Sequence, residues 1–127
     1  MTEDTFRRLA LAMPEAVERS HMGHPDFRVR GRIFATLFGI DDESGMVKLT
    51  PEEQEHFVKV EPAVFSPVKG GWGERGATRV CLRSARVAIV RRAMLAAWRN
   101  AAPKALVKDS GSGTPKTGRR AGPRSSR

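Results

Sequence analysis

Four groupings in the 127-residue chain have residue types that carry chemistry. In "GGWGERGATRV", Gly71, Gly73 and Gly76 spell G-x-G-x-x-G, the spacing of a loop whose backbone N–H groups cradle a phosphate. His21 and His24 are spaced H-x-x-H, with Asp26 and His56 as further potential metal donors. Cys81 is flanked by Arg79 and Arg83, and nearby positive charge lowers a thiol pKa. Finally, Arg28 and Arg30 alternate with Phe27 and Val29, and Arg79 and Arg83 oppose Val80 and Leu82, as on strands with one cationic face.

Context removes most of this chemistry. A dinucleotide loop needs a strand before its glycines and a helix after them. Here "ATRVCLR" follows, with β-branched Thr78 and Val80, so a strand is expected instead. A kinase-type loop needs a lysine on the next strand and separate catalytic and metal-binding loops, in a far longer chain. The glycines are therefore expected to turn the chain through positive φ and to let Trp72 anchor the loop on the body.

Gly23 and Pro25 interrupt "HMGHPD", so His21 and His24 are not expected to share the helix that would bring two rings to one metal. No third ligand stands at a diagnostic spacing, so no metal is expected. As the sole cysteine, Cys81 excludes an intramolecular disulfide and a C-x-x-C site. Asp41, Asp42 and Glu43 read as a turn cluster, and Glu52, Glu53 and Glu55 as a helix start where negative charge favours the dipole. With no acid/base pair or activated nucleophile in view, neither catalytic residues nor a cofactor are expected.

The elements that position these residues follow from periodicity. Phe6, Leu9, Ala10 and Met13 form one stripe of a helix over residues 3–12, stopped by Pro14. Phe27 and Val29, then Ile33, Ala35 and Leu37, alternate about Gly31 as a hairpin, and "DDESG" turns the chain into a further strand, "MVKLT". Thr50, Pro51 and Glu53 start a helix through a capping box, and it ends before Pro62. "VFSPV" and "TRVCLR" read as short strands around the glycine segment. In "SARVAIVRRAMLAAWRN", Val87, Val90, Met94 and Trp98 make a core stripe, with Arg92 and Arg99 on the opposite side. Hairpins rather than β-α-β crossovers predict an α+β domain: an antiparallel sheet with helices packed on one face.

Charge divides the chain. Residues 1–74 hold 9 Lys and Arg against 13 Asp and Glu, whereas residues 75–127 hold 14 against 1. The end of the chain, "KDSGSGTPKTGRRAGPRSSR", lacks aromatic and large aliphatic residues, so residues 105–127 are expected to form a disordered basic tail after a domain spanning 1–104. Its Lys116, Arg119 and Arg120 are candidate phosphate contacts. No apolar run reaches the ~18 residues needed to cross a bilayer. Acids near the start oppose an export signal, so no membrane association and a cytoplasmic address are expected.

"GHPDFRV", "KLTPEEQ", "GGWG" with Gly76 and Thr78 beyond it, and "AWRNAAPK" together resemble the MmcQ/YjbR family of small bacterial proteins, over about residues 6–104. That resemblance implies a two-layer α/β sandwich likened to the CyaY fold and to double-wing DNA-binding domains, with a presumed DNA-binding role and no agreed catalytic residues. If helices cover one face of the sheet, Arg28, Arg30, Arg79 and Arg83 line the other; the alternative is ordinary pairing with Glu18, Asp41 or Asp42. The leading expectation is a non-enzymatic DNA-binding protein using these four arginines, Arg92, Arg99 and the tail. A protein- or ligand-binding regulatory module stands second, and an enzyme third.

Overall fold

The structure is a computed structural model and describes residues 1–38 and 43–110. Helix α1 (Glu3–Leu11) begins where the Thr2 side chain accepts from the Thr5 N–H, and it buries Phe6, Leu9 and Ala10. Strands β1 (Ala16–His21), β2 (His24–Val29), β3 (Arg32–Leu37) and β4 (Ser44–Lys48) form an antiparallel meander. Two-residue turns join the first three strands, with positive φ at Met22 and Gly23 and at Arg30 and Gly31. Helix α2 (Pro51–Val60) carries the full capping box: Thr50 accepts from the Glu53 N–H, and Glu53 accepts from the Thr50 N–H. Strand β5 (Phe65–Pro67), helix α3 (Gly71–Glu74) and strand β6 (Ala77–Cys81) follow, then a 3-10 turn at Leu82–Ser84 and helices α4 (Val87–Ala101) and α5 (Lys104–Ser110).

The six strands form one antiparallel sheet in the order β1-β2-β3-β4-β6-β5. Helix α4 lies across β2, β3 and β4, with α1 beside it, so one face of the sheet is covered and the expected α+β architecture holds. Val90, Met94 and Trp98 of α4 are buried as expected, joined by Ala93, Ala97 and Ala101. Val87 departs from the expected stripe: it is the first residue of α4 and is exposed. Trp98 reconciles a buried indole with its N–H by donating to the Pro14 carbonyl at 3.0 Å.

Three further departures from the sequence reading have local causes. Strand β1 has one exposed apolar side chain, Val17, so this polar edge strand carries no alternation to recognise. In β3, Phe27 faces Ala35 while Arg28 faces Ile33, leaving Phe34 as the extra residue of a bulge. Phe34 and Ala35 therefore both enter the core, and Ile33 turns to the other face. Finally, α5 continues helical structure past residue 104, with Leu106 and Val107 packed partly against the core.

Candidate functional site

Alternation on a strand places Asp26 and Arg28 on one side of β2, away from core residues Phe27 and Val29. Asp26 is 0% exposed and accepts two hydrogen bonds from Arg28, at 2.7 and 3.0 Å. Its Oδ2 also lies 2.7 Å from His21 Nδ1 across the β1–β2 hairpin. The Arg28 hydrogen bonds outweigh the upward push of burial and, with help from His21, hold the Asp26 carboxyl below its usual range. His24 faces His21 in the register but packs edge-on to Phe38 instead, and no cluster of three metal-ligating side chains occurs among the described residues.

The expected row of four open arginines is not what the fold builds. Arg28 is held by its own strand neighbour. Arg30 is on the β2–β3 turn rather than in a strand, and makes a two-pronged pair with Glu15 at 2.6 and 3.1 Å. Arg83 follows the end of β6, in the 3-10 turn, and pairs with Glu43 at 3.2 and 3.1 Å. Arg79 remains on β6 opposite Met46 and Ser66, and it too is engaged in an interaction. The carboxylates that bind Arg28, Arg30 and Arg83 are Asp26, Glu15 and Glu43; Glu18 pairs with Arg7. A guanidinium fork matched to a carboxylate is not available for a phosphate without breaking that pair.

Arg92 and Arg99 are exposed on α4, as is Arg91, which sequence reasoning passed over although it stands in the same "RR" pair. None of the three makes an ion pair with a described carboxylate. Arg92 and Arg99 are seven residues apart, about 10.5 Å along the axis and on nearly the same side of the helix. Lys116, Arg119 and Arg120 lie outside the described residues.

The glycine segment builds no phosphate cradle. Three of its N–H groups are used within the turn: Glu74 donates to Gly70 O, Arg75 to Gly71 O and Trp72 O, and Gly76 to Gly73 O, and a strand rather than a long helix follows. A Cβ at Gly73 would collide with the Val68 carbonyl, and one at Gly76, where φ is +114°, with the Leu49 carbonyl. Close backbone approach explains both glycines; Gly71 has room for a side chain. Trp72 does not anchor the loop by burial, since it is 61% exposed. Instead its ring lies 5.4 Å from Lys48 Nζ and 5.4 Å from the Arg75 guanidinium carbon.

Trp72 is also one wall of a groove of about 270 Å³ on the uncovered face of the sheet. Ile33, Thr36 and Met46 contribute strand side chains, Phe38 a second aromatic ring, and His21 and Lys48 the titratable groups. Sequence reasoning missed this groove. Its signal was the apolar character of Ile33, Met46 and Ala77, which alternate with core positions where a solvated face would carry polar residues. Cys81, also on β6, is half-buried; burial raises its pKa, but hydrogen bonds at Ser84 and Arg83 and the charge of Arg79 bring it below the ordinary thiol value.

The YjbR family model matches residues 11–100, from the end of α1 to the last turn of α4. The chain belongs to the YjbR family. Its fold is shared with the crystal structure of Deinococcus radiodurans protein DR2400, which carries the family domain DUF419. The TM-score is 0.67 at 17% identity, with 85% of this chain and 86% of that one covered. No curated protein matches this sequence. Among the described residues, no helix is long and apolar enough to cross a membrane.

Proposed function

We propose that the protein is a non-enzymatic, cytoplasmic DNA-binding protein whose phosphate contacts come from the outer side of α4 and from the basic residues that follow it. The observation that carries this reading is the stretch 86–108, which holds six Lys and Arg and no Asp or Glu. Arg91, Arg92 and Arg99 stand exposed within it, unpaired with any described carboxylate. Guanidinium groups without internal partners gain from phosphate contacts and release counterions from the duplex. The paired Arg28, Arg30 and Arg83 contribute less in this reading than the unpaired arginines of α4.

Electrophoretic mobility shift of a labelled duplex at a series of salt concentrations tests the proposal. The full chain is expected to lose affinity steeply with salt. Substituting Arg91, Arg92 and Arg99 together by Ala should reduce the slope of log affinity against log salt by about 3, roughly one for each phosphate that is no longer neutralised. An unchanged slope in that variant removes α4 from the interface, and an unshifted duplex at low salt removes the function.

A further inference from the structure

We propose that the groove on the uncovered face of the sheet binds a small apolar carboxylate, its body against Trp72 and the strand side chains and its charged group at Lys48 and Arg75. The inference uses none of the arginines of the DNA-binding reading: α4 packs mainly on the other face of the sheet, and only its C-terminal end, at Ala97, Asn100 and Ala101, borders the recesses beside the groove. Size comes first. At about 270 Å³ the groove falls just below the roughly 300–1,000 Å³ of drug-sized sites, so it suits one ring or a short chain. Met46, Phe38 and Trp72 then supply a thioether and two aromatic surfaces, which favour an apolar body.

Charge complementarity selects an anion. Lys48 borders this groove and the two recesses that adjoin it, one with Arg32 and one with Arg75, and among the described residues no carboxylate lines any of the three. Lys48 and Arg75 gather at the Trp72 ring without an ion-pair partner among the described residues. A ligand carboxylate would give them charge-assisted hydrogen bonds that the fold does not provide. At the other end, Asp26 occupies His21 Nδ1, leaving Nε2 as the ring nitrogen open to a ligand's polar group.

Two-dimensional ¹⁵N–¹H NMR of the full chain, titrated with 4-phenylbutyrate and separately with the neutral 4-phenylbutanamide, tests this. The protein has two tryptophans, so the Trp72 indole N–H reports on the groove while that of Trp98, bonded to Pro14, serves as an internal control. Saturable movement of Trp72 alone is expected, with the carboxylate bound at least about tenfold tighter than the amide. Lys48→Met should bring the two ligands within about twofold of each other, and Trp72→Ala should weaken both, while Arg92→Ala with Arg99→Ala should change neither. The proposal fails if Trp72 does not move saturably or if the acid and amide bind alike. It also fails if the α4 substitutions weaken the acid as much as Lys48→Met does, which would mark general attraction to a cationic protein.

Discussion

Asp26 is the residue on which the β1–β2 region turns, because one carboxylate out of water satisfies both Arg28 and His21. Its folded pKa lies below the ordinary aspartate value, so its contribution to stability is fully present above that value and is lost as pH falls through the folded pKa. Asp26→Asn is therefore expected to destabilise the protein by about 1–3 kcal/mol near neutrality. The difference from the parent should narrow below about pH 4, as urea midpoints followed from neutral pH into acid would reveal. Glycine substitutions make a second residue-scale comparison. Gly73→Ala and Gly76→Ala force a methyl into backbone carbonyls and should cost about 4 kcal/mol or prevent folding. Gly71→Ala, at a helix start where the new methyl would meet only the end of the Arg75 side chain, should stay within about 1 kcal/mol of the parent in the same denaturation assay.

Among the elements, those with strong end signals were readable and those defined by partners were not. Thr50, Pro51 and Glu53 identify the start of α2 because a capping box satisfies orphan N–H groups using residues three apart, a purely local interaction. Thr50→Ala should lower stability by about 1 kcal/mol, and a urea midpoint shift without a change in slope would establish it. Strand β1 lacks such a signal: its place depends on pairing with β2 from Ala16↔Val29 to His21↔His24. Likewise the bulge at Phe34 cannot be read from alternation, since it arises from the register of β3 against β2. It brings one more aromatic residue into the core and frees Ile33 for the groove.

At the scale of the whole molecule, the two layers separate two kinds of surface. The helical layer presents Arg91, Arg92 and Arg99, while the uncovered sheet face presents an apolar groove with cations at one end. The two should therefore answer differently to salt. Raising ionic strength from about 50 to about 200 mM should weaken duplex binding by several orders of magnitude if about eight phosphates are contacted, but weaken 4-phenylbutyrate binding by no more than about tenfold. Measuring both in the same buffers separates the surfaces. Saturating 4-phenylbutyrate should leave the mobility shift unaltered if they are uncoupled.

The hairpin about Gly31, the capped start of α2, the core stripe of α4 from Val90 to Trp98 and the concentration of basic residues after residue 74 were all determined by the sequence alone, because each depends on neighbours within a few positions. The partners of the arginines were decided only in three dimensions. Arg30 meets Glu15 across 15 residues and Arg83 meets Glu43 across 40, separations that no local pattern records. Tertiary structure likewise made the groove, since a concave surface exists only when β1, β3, β4 and β6 are brought into one sheet and α3 sets Trp72 at its margin. Periodicity tells a side chain which face of its own element it occupies; only the assembled sheet gives it something to touch.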